Sequence, residues 1–184
     1  MKLRRRHPSK LVLVGFLLLA ACGCNAVLSK HPVGDNPARI ETKEWEGNWT
    51  TTDGAVKLDV LDADRGILRA SWVEDGKNGA PALKSAEIEI RESGGWLIAN
   101  TREEKGRGYL WGRIKTEDRQ IIVWSPDERL FAKAVKDGVL PGRVEGEDVI
   151  LDDLKPHHLK VITATEKGVL FSWDRPAIFV KSGN

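Results

Sequence analysis

His157 and His158, close to Asp152 and Asp153, are the densest grouping of metal-ligating side chains in the sequence. Neighbouring residues on a helix point about 100° apart, so two adjacent imidazoles do not readily share one ion. Asp153 and His157 stand four apart where a helix should start, and an acid there offsets the helix dipole. Asp62-x-Asp64-x-Gly66 opens like a calcium loop, but the third oxygen ligand is missing and Trp72 stands where the bidentate Glu belongs. A hairpin turn accounts for it. There is no Gly-x-Ser-x-Gly elbow, phosphate loop or dinucleotide fingerprint. Both cysteines lie at 22 and 24, which excludes a disulfide scaffold, a cysteine zinc site and a cysteine nucleophile beyond residue 24. The sequence therefore assigns no catalytic residue, no metal ligand and no cofactor. Binding rather than catalysis is the expectation, with a cell-envelope hydrolase using carboxylates assembled by the fold as the alternative.

Aromatic residues are the remaining chemical feature. Seven tryptophans (45, 49, 72, 96, 111, 124 and 173) accompany a single tyrosine, Tyr109. Most should be core, since each buries ~150–250 Å². Tyr109, Trp111 and Arg113 fall on one face of a strand, and the arginine argues against a dry core there. That trio is the expected ligand or partner surface, suited to an amphiphilic or acidic partner.

The N-terminus carries an export signal. Lys2, Arg4, Arg5, Arg6 and Lys10 precede an apolar run from Leu11 to Ala21. A bilayer span needs roughly 20 apolar residues, so this run is the h-region of a signal peptide. Leu19-Ala20-Ala21-Cys22 resembles the lipobox of bacterial lipoproteins, Leu-[Ala/Ser]-[Gly/Ala]-Cys. The resemblance implies that residues 1–21 are removed and that Cys22 carries a diacylglyceryl thioether. Two or three acyl chains at ~0.8 kcal/mol per buried methylene anchor a protein stably. Gly23, where an Asp tends to retain such proteins in the inner membrane, points to the periplasmic face of the outer membrane in a host with two membranes. Partners would then be the membrane, through the anchor, and an apolar ligand or envelope protein.

Removing residues 1–21 takes five basic residues and no acid, leaving 24 basic against 27 acidic and a net charge of −3. A mildly acidic domain gives no electrostatic reason to expect nucleic-acid binding. Residues 22–44 hold Pro32 and Pro37 and no sustained period, which predicts a lipidated, flexible tether with a reach on the order of 25 Å.

Residues 45–181 should form one β-rich domain. Val56, Leu58 and Val60, then Leu68, Ala70 and Trp72, then Ala86, Ile88 and Ile90 alternate with polar residues, and Asp- and Gly-rich turns separate the runs. Trp96–Thr101, Tyr109–Lys115, Gln120–Ser125, Val144–Leu151, Val169–Trp173 and Ala177–Lys181 continue the series. The fold expected is mainly β, an antiparallel barrel or sandwich. Ser125-Pro126-Asp127-Glu128 reads as a capping box with Ser125 as N-cap, opening a helix of about eleven residues that ends at Gly138. A second short helix should start near Pro156.

Trp45-Glu46-Gly47-Asn48-Trp49 contains the Gly-x-Trp that opens the first strand of lipocalins, and the number of short strands is also similar. The resemblance implies a lipocalin-like barrel in which Trp49 plugs one end. Thr50, the inserted helix and the lack of a Thr-Asp-Tyr motif depart from that family, so it implies shape and not function.

Overall fold

The computed structural model describes residues 26–52, 54–76, 79–164 and 170–183, and the signal peptide and Cys22 lie outside them. In chain order the elements are β1 (Val27–Ser29), β2 (Asn36–Pro37), α1 (Thr42–Trp45), β3 (Gly47–Thr50), β4 (Ala55–Asp62), β5 (Ile67–Asp75) and β6 (Pro81–Ser93). Then follow β7 (Trp96–Arg102), β8 (Tyr109–Glu117), β9 (Gln120–Trp124), α2 (Glu128–Lys136), β10 (Gly142–Glu145), β11 (Asp148–Leu151), α3 (Pro156–Ile162) and β12 (Ala177–Lys181).

Eight antiparallel strands close into a barrel in the order β8-β7-β6-β5-β4-β3-β12-β9, with β9 returning to β8. Two long-range pairings make the closure: Ala177–Val180 of β12 against β9, and Val180–Lys181 against β3. The mainly β expectation holds, and of its two forms the barrel is the one adopted. Alternation explains the interior. In β4, β5 and β6 the apolar residues at every second position face inward and the charged ones face solvent.

The predicted tether is different. Residues 26–44 are part of the folded domain: β1 pairs parallel with β11 and antiparallel with β8, and Val27 and Leu28 are buried. Farther along, buried Asn100 grips the chain at Val33, accepting from its N–H at 2.7 Å and donating to its carbonyl at 3.0 Å. β2 then pairs with β6, and the Ala38 N–H donates to the Ile90 carbonyl. A strand of two or three residues has no period to read, because its order comes from its partners.

Three further details differ. The N-cap of α2 is Asp127, whose carboxylate accepts from the Arg129 and Leu130 N–H groups, and Ser125 is not the cap. Pro126, before the cap, bridges instead to Phe171. At the other end the helix closes as expected, with Gly138 at φ +71° and bonds from the Gly138 and Val139 N–H groups to the Val135 and Ala134 carbonyls. The run 144–151 is a hairpin, β10 with β11, turning at Gly146 (φ +64°). Of the segment expected as a strand at 169–173, the described residues 170–173 contribute only the Phe171 bridge. Helix α1, four residues long, was not expected from the sequence. No helix among the described residues is long and apolar enough to cross a membrane.

Candidate functional site

Two large cores flank the barrel wall, beside a small cluster of Ala26, Leu28, Leu110 and Ile150. The inner one holds a cavity of about 50 Å³ lined by Trp45, Val56, Leu68, Ala70, Ile88, Phe179 and six further side chains, every one apolar. Eight-stranded barrels have interiors just wide enough to fill with side chains or to hold one small ligand, and an apolar space of this size stays dry. Trp49, the residue of the Gly-x-Trp motif, is buried in this core. Its Nε1 donates to the Trp45 carbonyl at 2.8 Å, and the Lys181 ammonium lies 5.5 Å from its ring centre.

The outer core lies between the barrel wall and the helices. Strand β8 feeds both, because successive side chains alternate: Ile114 lines the barrel cavity while Trp111 and Arg113 point the other way. Trp111 is 2% exposed and packs edge-to-face on Phe131 and Phe171, with ring centres 5.4 and 5.9 Å away. The Tyr109–Trp111–Arg113 surface is therefore not formed. Two of its three members are buried, and only Tyr109 borders open space. It lines a groove of about 440 Å³ beside Arg102, Glu87 and Glu104, with its hydroxyl accepting from Arg102 at 2.7 Å.

Arg113 is the most unusual residue described. Its side chain is 1% exposed, yet Nε, Nη1 and Nη2 have no hydrogen-bond partner. Aromatic rings surround it instead. The guanidinium lies against the Trp96 ring, 5.0 Å from the centre of Trp173 and 5.9 Å from that of Phe171. Trp124 stands directly across the β8–β9 ladder from Arg113 and touches both other tryptophans. Burial lowers the guanidinium pKa to about 9.

The chain matches no family model, no curated protein and no solved structure.

The remaining sequence candidates are structural. The His157 and His158 ring centres lie 3.9 Å apart with the planes tilted by 59°, and His158 Nδ1 accepts from the Lys155 N–H at the start of α3. Desolvation and the charges of His157 and Lys155 hold His158 below its ordinary pKa. Asp153 turns away from both, toward Lys30 at 2.9 Å and His31 at 3.0 Å, and the hydrogen bond from Lys30 is the main reason its pKa is lowered. Asp62 accepts from the Arg65 N–H in the β4–β5 turn. Among the described residues no group of three or more ligands could hold a metal. What sequence reasoning missed is the ring cluster around Arg113. Its signal was Trp124, which an antiparallel β8–β9 hairpin places opposite Arg113.

Proposed function

We propose that this chain is a lipid-anchored protein of the bacterial cell envelope whose barrel domain binds a small apolar molecule or the apolar end of a larger one. The lipobox supports the anchor, and the uniformly apolar barrel cavity carries the binding reading: twelve side chains line it and none could act as acid, base or nucleophile. A volume of about 50 Å³ suits a short hydrocarbon group rather than a long acyl chain. The anchor holds the domain close. Four residue steps separate Cys22 from Ala26, so the extended chain spans at most about 14 Å before it enters β1. Partners and ligands would be met at the membrane surface, on the periplasmic face of the outer membrane in a two-membrane host.

Two experiments test this reading. Labelling cells with a radioactive fatty acid should mark the protein, and Cys22→Ser should abolish the mark and release the protein from membranes. For the barrel, xenon, an apolar atom small enough for a cavity of this size, should raise the melting temperature of the full mature chain in a saturable way. Ala70→Leu, which fills the cavity from a buried position on β5, should remove that response while melting stays cooperative. No xenon response in the wild type, or an equal response in Ala70→Leu, overturns the barrel as a ligand site.

A further inference from the structure

We propose that the free edge of β6, from Pro81 to Glu87, docks an extended peptide segment of a partner protein, which adds as a strand and places a basic side chain in the groove lined by Glu87 and Glu104. The site is independent of the barrel cavity and of the anchor. β6 has two neighbours along only part of its length. Pro81–Glu89 pairs with β5 on one edge, whereas β7 covers the other edge only from Ile88 to Ser93. β7 stops at Arg102, and the chain turns back into β8 where the Glu103 N–H donates to the Gly108 carbonyl. Beyond that stop, no strand among the described residues lies beside residues 81–87.

Alternation identifies the backbone groups left over. The Glu87 carbonyl accepts from the Thr101 hydroxyl and so points toward the β7 side. The Ile90 N–H and carbonyl serve Gly66 and Ala38 on the opposite side. Successive residues of a strand direct their peptide groups to alternate edges. Leu83 and Ser85 therefore aim both N–H and C=O into the open lane, and Glu87 aims its N–H there. A row of this kind is a template for another strand. Leu83 is 77% exposed and stands directly opposite Val73 of β5, itself 58% exposed, so an apolar pair flanks the lane on one face.

The groove chooses the occupant. Its space of about 440 Å³ is lined by Ser85, Ala86 and Glu87 of β6 and by Arg102, Glu104 and Tyr109 at the β7–β8 turn. A strand added to an edge gains affinity from its main chain and specificity from side chains that enter such spaces. The charges in the groove are unbalanced. Arg102 donates to the Tyr109 hydroxyl and Glu89 pairs with Arg91, while no cation among the described residues forms a salt bridge with Glu87 or Glu104. An extended peptide carrying lysine or arginine supplies both a backbone for the edge and a cation for the carboxylates.

The test uses the full mature chain carrying Cys22→Ser and a fluorescein-labelled heptapeptide of alternating lysine and valine. A glutamate–valine heptapeptide and a backbone N-methylated lysine–valine heptapeptide are the controls. Fluorescence anisotropy should show saturable binding of the lysine peptide, at least tenfold tighter than either control. Hydrogen exchange at the Leu83 and Ser85 amides should be fast in the free protein and slowed by the bound peptide. Ser85→Pro removes an N–H that the β5 ladder does not use, so it should still melt cooperatively and bind at least tenfold more weakly. A variant combining Glu87→Gln and Glu104→Gln should leave the edge intact and weaken binding at least threefold at low salt. Absent binding, equal binding of a control peptide, protection at other amides instead, or undiminished binding by either variant would each overturn the proposal. So would protection of Leu83 and Ser85 that grows with protein concentration without peptide, which would make this edge an interface between copies.

Discussion

Replacing Arg113 with methionine should make the protein more stable. Burial lowers the Arg113 pKa by several units, to about 9, which means that the fold disfavours the protonated guanidinium. At 1.36 kcal/mol per pH unit, the penalty at neutral pH is at most about 5 kcal/mol. Relaxation of the groups around a buried charge reduces that figure, and the effective cost is about 2–3 kcal/mol. Methionine fills a similar volume, adapts to irregular space and makes favourable contacts with rings. The expected gain is therefore about 2 kcal/mol at pH 7, or roughly 4–8 °C in melting temperature for a domain of this size. The pH dependence follows from proton counting. Above about pH 9 the unfolded chain keeps the Arg113 proton while the folded chain begins to lose it, so wild-type stability rises with pH relative to the variant. Urea denaturation of both proteins at pH 7, 9 and 10.5 should show the gap constant up to about pH 9 and narrowing above it. A variant less stable than wild type at pH 7, or a gap that does not change with pH, would refute the account of Arg113 as an unpartnered buried cation.

Three other substitutions probe the frame around that site. Trp111→Ala should cost about 3–5 kcal/mol in urea denaturation, because it empties a space shared with Phe131 and Phe171. Asp127→Ala should cost about 1 kcal/mol through loss of the α2 cap, whereas Ser125→Ala should stay within about 0.5 kcal/mol. Asn100→Leu should cost about 2–4 kcal/mol, since it leaves the Val33 N–H and carbonyl buried without partners. Hydrogen exchange in that variant should show the Val33 amide losing protection while amides in β4 and β5 retain theirs.

The sequence showed the barrel strands where one face is wet and the other dry, because there the period of two is enforced by solvent. β4, β5 and β6 were legible for that reason. β1 was not: the three residues Val27, Leu28 and Ser29 carry no period, and their burial depends on β8 and β11, 80 or more residues away. Barrel and sandwich could not be separated either, since closure rests on β12 meeting both β3 and β9. At α2 the stretch Ser125-Pro126-Asp127 offers two good N-cap residues, and tertiary contact decided between them when Pro126 was drawn to Phe171. Arg113 misled for an instructive reason. A charged residue on a strand face signals water, but here tryptophans from β7, β9 and the 170–176 segment cover it, and only the first two lie close enough in sequence to suggest so.

The division between the two cores bears on where specificity resides. Inside the barrel every lining group is apolar, so the cavity can select by size and little else. Outside the wall, the same strand β8 presents a cation and an indole donor that lack acceptors. Recognition by a charged fork rejects ligands that lack the matching acceptor, because the buried donors are then left unpaired. On the binding reading, any discrimination by charge would therefore lie in the layer between barrel and helices and not in the cavity. That layer contains β1, through Val27, and Phe171 of the 170–176 segment. β1 is also the element nearest to Cys22 in sequence. The strand nearest to Cys22 in sequence and the segment carrying Phe171 thus pack into one core.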